Sequence, residues 1–379
     1  MMPWRAPGPL LTRRRQPSAP LLQQLEEGAI GLYHRLRECA LEGPWDPAPI
    51  EERYRRVREA LLLTPGVLRA FRHWYLAAGR LNFPDAPRPK DTYLRWEGGI
   101  PWRQKWPGGA LRLWRMYRRL SALEPVTAAD LQDTLIGQPS TFMIPRTPGA
   151  LARLVWRRLS GVSASNGLDC YRITEAQLRF VYYRKRITRL LNGQPLGMVL
   201  EVGGGYGGLA AELLQHVPIG RYVIVELPDA MPLAALYLRA CFEEPVQALA
   251  GPDEAPNPEA RILILPPWAL PHLPGEADLL INTMSFQHMT AESLQFYFAQ
   301  AQRLRTGHMY LVNRDVQRDP TDVPISRYPI PDEYRLLERR PYPFEPHVEA
   351  WFRWAGRFAE EDRQPVWGRA EGRCAKGSA

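Results

Sequence analysis

Two glutamates, Glu201 and Glu226, stand around the densest glycine run of the chain, Gly203-Gly204-Gly205-Tyr206-Gly207-Gly208. Glycine allows a tight turn and lets a ligand approach the backbone closely. Gly203, Gly205 and Gly208 satisfy the G-x-G-x-x-G spacing, which nicotinamide and flavin enzymes also use. A carboxylate such as Glu226, at the end of the next strand, can accept both hydroxyls of a ribose. That placement suits NAD and S-adenosylmethionine equally. Glu201 separates them. It lies inside the first strand, two residues before the first glycine, where a dinucleotide site normally has an apolar side chain. A carboxylate there suits the positively charged methionine end of S-adenosylmethionine. The spacing therefore predicts S-adenosylmethionine as cofactor, with a nicotinamide oxidoreductase as the alternative.

Positioning such a loop needs a strand before it and a helix after it. Met198–Val202 reads as that strand and Leu209–Gln215 as that helix. Tyr222–Glu226, Ile262–Leu265, Asp278–Asn282 and Met309–Asn313 read as further strands, with helices at Ala230–Phe242 and Ala291–Leu304. Alternation of this kind predicts a parallel sheet covered on both faces. Tyr334–Glu338 and Val348–Trp354 add an antiparallel pair. Upstream, Thr174–Leu191 reads as a helix ended by Asn192-Gly193. Residues 21–145 read as mostly helical, with a break at Gly43-Pro44-Trp45-Asp46-Pro47, helices from Ile50 and over Val67–Leu81, and an irregular stretch from Pro84 to Gly109. Leu111–Leu123 and Ala128–Leu135 read as two more helices. Four parts follow: a Pro- and Arg-rich tail over 1–20, expected to be disordered; a helical N-terminal region over 21–145, acting as lid or substrate surface; a cofactor-binding domain over 146–360; and a flexible tail over 361–379.

Of the 49 basic residues only Lys90, Lys105, Lys185 and Lys376 are lysine, and the net charge is +9. A basic balance is compatible with an anionic acceptor, and with nucleic acid. No RNA-binding module and no Asn-Pro-Pro-Tyr-like motif supports the latter. Cys39, Cys170, Cys241 and Cys374 are too scattered for a C-x-x-C pair. No apolar run reaches about 18 residues, and the start lacks a signal-peptide core, so the expected location is the cytoplasm. Asp315 and Asp319 have no diagnostic metal-ligand spacing, and no metal is indicated, although a divalent ion stays open.

The run LEVGGGYGGLAAELL, followed by YVIVELPDAMPLAALYL, resembles the sugar O-methyltransferase family of class I S-adenosylmethionine enzymes. So do INTMSFQHMTAESLQFYF and HMYLVNRD, and, upstream, IGQP at Ile136–Pro139 and LRFVYYRKRI at Leu178–Ile187. The resemblance covers roughly residues 136 to 355. It implies an α/β Rossmann-like class I methyltransferase fold, a seven-stranded mixed sheet with helices on both faces. It implies cofactor contacts from Glu201, Gly203, Gly204, Gly205 and Glu226, with Leu227 against the adenosine. It also puts the loop Met284-Ser285-Phe286-Gln287-His288-Met289 beside the transferred methyl, with Ser285 and Gln287 toward the cofactor.

A sugar hydroxyl is a poor acid, so its methylation needs a base or a metal. His288 is the expected base and Asp315 the next candidate. His288 stands where the family more often has an acidic residue, which leaves one shared base at this position open. Arg179 could meet the cofactor's carboxylate, and Tyr183 lies on the same helix. Trp96, Trp102, Trp106 and Trp114 could stack on sugar rings. The expected acceptor is a small molecule or glycan carrying a hydroxyl, in some cases anionic. A nucleic-acid methyltransferase and a catalytically silent scaffold are the other readings, and the oligomeric state is open.

Overall fold

Short, wholly apolar runs alternate with helices from residue 196 onward, and that texture builds a parallel sheet. The computed structural model describes residues 8–11, 18–45, 55, 59, 108–124, 126–127, 130, 142–145, 147, 149–150, 152–153, 156, 170–173 and 175–355, the last without 252, 318–321 and 344–346. Five elements precede the sheet: α1 (Ala19–Glu38), α2 (Gly108–Leu123), β1 (Phe142–Pro145), β2 (Cys170–Ile173) and α3 (Glu175–Leu190). Next come β3 (Leu196–Val202), α4 (Gly208–His216), β4 (Ile219–Val225), α5 (Met231–Cys241), β5 (Val246–Ala248) and β6 (Ile262–Leu265). The chain ends through β7 (Leu279–Thr283), α6 (Ala291–Arg303), β8 (His308–Arg314), β9 (Tyr334–Pro341) and β10 (His347–Trp354).

The main sheet runs β5-β6-β4-β3-β7-β8-β10-β9. Neighbours from β5 to β8 are parallel. β10 inserts antiparallel between β8 and β9. This is the Rossmann-like class I methyltransferase fold. It has eight strands rather than the seven expected. The additional one, β5, is a three-residue edge strand too short to read from its sequence. β3 is buried along its whole length, as is usual for a parallel strand covered on both faces. From β3 the chain first builds outward through β4 and then crosses back to β7 on the other side. Ligands bind outside the carboxyl ends of strands at such a reversal.

The core is one body. Leu32 and Leu36 of α1 and Met116 and Leu120 of α2 belong to the same buried cluster as the sheet. The Pro- and Arg-rich start, expected to be disordered, is placed where it is described. Leu11 is buried and donates its N–H to Leu214 O at 3.0 Å, and Arg261 holds Pro9 O at 2.7 Å. β1 and β2, which the sequence reading did not expect, form a separate antiparallel pair. The helices expected from Ile50, over Val67–Leu81 and over Ala128–Leu135, and the C-terminal tail, fall almost wholly outside the described residues. So do Trp96, Trp102, Trp106, the side chain of Trp114, and Asp319.

Helix α3 carries most of its cations inward. Arg184 pairs with Glu212 at 2.7 Å and with Asp130 at 2.5 Å, and Lys185 reaches Asp130 at 3.0 Å. Arg186 meets Glu349 at 2.8 Å and Glu338 at 3.0 Å, and Arg189 meets Glu124 at 2.5 Å. α3 ends as its sequence predicts, with Asn192 and Gly193 both in the left-handed region and Gly193 N–H returning to Thr188 O.

Candidate active site

The glycine loop runs from β3 to α4 through three left-handed residues, Gly203 (φ +73), Gly205 (φ +57) and Gly207 (φ +86). A Cβ on Gly203 would lie 2.1 Å from Ser285 Oγ, and one on Gly204 would lie 2.8 Å from Ile224 Cγ2 and 3.0 Å from Glu201 Oε2. The loop is therefore glycine for contact as well as for conformation. Gly207 precedes α4 without any side-chain cap, so the first helical N–H groups are not capped from its side.

Glu201 is 2% exposed and accepts a hydrogen bond from Tyr222 Oη at 2.9 Å. Burial pushes its carboxyl up to about 8; the Tyr222 hydrogen bond works against this, and the negative charge of Glu226 adds to it. Glu226 follows β4 directly. Its Oε2 accepts from Gly205 N–H at 2.6 Å and its Oε1 from Leu227 N–H at 2.7 Å. Two carboxyls thus flank one glycine turn at the carboxyl ends of neighbouring strands. Leu227 is half-buried beside them.

The loop after β7 is fixed by buried amides. Asn282, fully buried, donates to Val202 O at 2.9 Å and to Ser285 Oγ at 2.5 Å, and accepts from Phe286 N–H at 3.1 Å. Asn313 of β8, also fully buried, donates to Asn282 Oδ1 at 2.9 Å and accepts from Gln287 N–H at 3.2 Å. Gln287 Oε1 accepts from Arg314 N–H at 3.1 Å. This ladder ties the ends of β3, β7 and β8 together. It holds the turn in which Met284 takes a left-handed conformation (φ +66).

The structure brings Glu201, Gly203, Gly204, Gly205, Glu226, Leu227 and Ser285 to one crevice. Arg179 of α3 reaches its rim, with Nη1 3.4 Å from Met284 Sδ. Gln287 turns toward β8 rather than toward the glycines. His288 is half-buried; its Nε2 lies 3.2 Å from Gln287 Nε2 and its Nδ1 3.3 Å from Arg314 Nη2. Both neighbours are donors, and a neutral imidazole has one accepting nitrogen to offer them. Asp315 stands apart, ion-paired with Arg339 and accepting from Ser326 N–H at 3.0 Å. Partial burial would raise its carboxyl, but the Ser326 and Arg339 contacts prevail and hold it below the usual range. Arg314 pairs with Asp322, at 3.5 Å, rather than with Asp315. Tyr183 lies in a cluster with Tyr182, Tyr310 and Tyr342, stacked on Tyr342 at 5.7 Å. Among the described residues no group of three metal-type side chains converges, and no helix is long and apolar enough to cross a membrane.

Sequence reading missed Tyr222, Asn282 and Asn313. The signal for the two asparagines was present: each directly follows the apolar run of its strand, in LLINT and HMYLVNR.

No family model and no curated protein matches the sequence. Several solved structures are similar in part. The magnesium protoporphyrin IX methyltransferase from Synechocystis PCC 6803 with bound SAH is 13% identical, over 52% of this chain and 92% of its own, with a TM-score of 0.34. The pyocyanin biosynthetic protein PhzM is 15% identical over 54% and 68%, with a TM-score of 0.32. The methyltransferase domain of bacterial CtHen1-C is 12% identical over 45% and 96%, with a TM-score of 0.33. At these identities and scores the likenesses carry no argument, and the fold rests on the strand order itself.

Proposed function

We propose that the protein is an S-adenosylmethionine-dependent O-methyltransferase that modifies a hydroxyl of a sugar or sugar-containing metabolite. The observation that carries this reading is the buried carboxyl of Glu201, 3.0 Å from where a Gly204 Cβ would be, with Glu226 across the same turn. Glu226 suits the ribose of either cofactor, but a dinucleotide also brings a pyrophosphate to its glycine loop, and an acidic side chain at Glu201 offers that group no compensating charge. A sulfonium and an ammonium are favoured by the same groups.

The residues present fit that cofactor. Glu226 accepts from Gly205 N–H and Leu227 N–H on separate oxygens, and a carboxylate in this place can also accept ribose hydroxyls. Gly203, Gly204 and Gly205 give close backbone approach. Glu201 faces the cationic amino-acid end, Leu227 the adenosine, and Arg179 the carboxylate. When bound, the cofactor supplies the electrophilic methyl. The protein's work is then to hold the acceptor oxygen in line and remove its proton. His288 is the proposed base, and the task requires its ring to turn from one of its two donors. Asp315, held in its ion pair, is the lesser candidate.

The sugar acceptor is supported by the sequence resemblance over residues 136 to 355. A cytoplasmic setting and a small-molecule or glycan partner that can be anionic complete the proposal. Calorimetry tests its first step. S-adenosylhomocysteine is expected to bind and NADH is not, and Glu226→Ala is expected to weaken the former at least about tenfold, the loss of one or two charge-assisted hydrogen bonds. NADH binding in its place would refute the reading. A methyl-transfer screen over nucleotide-sugars, glycans and RNA then tests the acceptor.

A further inference from the structure

We propose that the crevice exchanges a proton for the positive charge of its ligand at Glu201, whose carboxyl is neutral in the ligand-free protein and ionises when a cationic group docks. The inference rests on the methyltransferase reading for the ligand's identity, and on the crevice alone for its charge.

The groups around Glu201 leave its charge uncompensated. From β4, Tyr222 supplies one neutral hydroxyl, and the residue after β4, Glu226, supplies a second carboxyl. Among the described residues no lysine, arginine or histidine acts on Glu201. From α3, Arg179 directs Nη1 to Met284 Sδ, and Arg184 is taken by Glu212 and Asp130. From α4, Glu212 is held in that same pair. From β7, Asn282 gives its amide to Val202 O and Ser285 Oγ. Glu226 is capped by two backbone N–H donors, which favour its ionised form. A second buried negative charge at Glu201, on which no cation acts among the described residues, is the state that proteins avoid by keeping the proton.

A ligand bearing an ammonium or sulfonium changes that balance. Its charge favours the ionised carboxyl, so the Glu201 O–H bond breaks and its proton leaves to solvent while the ligand keeps its own charge. Tyr222 donates to the carboxylate that results, since burial and the neighbouring Glu201 push the Tyr222 hydroxyl well above its usual range. The Glu201 carboxyl titrates near 8 when the crevice is empty. Affinity for a cationic ligand should thus rise about tenfold per pH unit below that point and level off above it.

The experiment is titration calorimetry with S-adenosylmethionine at pH 7 in two buffers of different ionisation heat. Close to one proton released per ligand bound, and loss of that release in Glu201→Gln, is the result expected. Binding without proton release, or an equal release from Glu201→Gln, overturns the inference while leaving the cofactor reading in place. Absence of binding by the unmodified protein across pH 6 to 9 removes the cofactor reading and the inference with it. Infrared difference spectroscopy gives a second readout that needs no variant. A protonated-carboxyl band should be present in the ligand-free protein at pH 7 and bleach on binding, and its absence would refute the proposal even if Glu201→Gln failed to fold.

Discussion

His288 and Asp315 differ in what already holds them. Asp315 is an ionised partner of Arg339, so taking up a proton would sacrifice an ion pair. His288 has two donors, Gln287 Nε2 and Arg314 Nη2, at 3.2 and 3.3 Å, and neither contact is an ion pair with a carboxylate. Replacement of His288 by Ala is therefore expected to lower turnover by about 10²- to 10⁴-fold, the usual worth of a positioned base, with S-adenosylhomocysteine affinity near that of the parent. Unchanged turnover would remove it as base. Glu201 also carries a stability signature. Its folded carboxyl titrates near 8 and an unfolded glutamate near 4.3, so the folded state holds a proton that the unfolded state has lost between those values. Stability of the ligand-free protein should fall as pH rises through that window. Denaturant unfolding at pH 5 and pH 8 should show the fall, and Glu201→Gln should flatten it. Glu201 was readable in the sequence because a charge inside an apolar strand needs a reason, and Glu226 because it stands at the end of the next strand. Asn282 and Asn313 break the same rule, but an amide carries no charge to mark it. The chain does not reveal that two amides 31 residues apart are hydrogen-bonded partners.

The loop after β7 is positioned by elements rather than by its own sequence. Its left-handed Met284, its Ser285 against Gly203 and its Gln287 against β8 are all set by the Asn282–Asn313 ladder. Asn313→Leu leaves Gln287 N–H without its acceptor and removes the donor to Asn282 Oδ1. A loss of about 1–3 kcal/mol is expected from unmet buried groups, read as a lower denaturation midpoint at unchanged slope. Because Ser285 leans on Gly203, cofactor affinity should fall as well, which a purely stabilising ladder would not require. The strands that build this edge were legible because parallel, doubly covered strands must be apolar throughout. β5 was not, because three residues with Gln247 in the middle carry too little pattern. Helix α3 was legible as a helix, yet its charge was not interpretable alone. The carboxylates that neutralise it come from Glu124, Asp130, Glu212, Glu338 and Glu349, contacts that exist only once the chain is folded.

Those internal pairs bear on the whole molecule's charge of +9. Four cations of α3 are committed to carboxylates, so the sequence segment richest in them, RKRITR, is no free basic surface. The N-terminal region shows the same integration. α1 belongs to the helical region expected to act as lid or substrate surface, and its Leu36 is fully buried in the cluster that includes the sheet. Beyond α1, Ser293 Oγ of α6 donates to Pro44 O at 2.6 Å, and Trp45 meets Phe296 edge-on at 5.1 Å. The chain therefore leaves α1 and reaches the N-terminal half of α6, the helix that follows the crevice loop. An element anchored at both ends in one core should not unfold by itself. Leu36→Ala should cost about 3 kcal/mol, the typical penalty for a buried leucine, and should shift one transition seen alike by tryptophan fluorescence and far-ultraviolet dichroism. Two separated transitions, with only the earlier one moved, would make α1 an independent lid. A single shifted transition would mean that α1 unfolds together with the sheet that carries the glycine loop, as one cooperative unit.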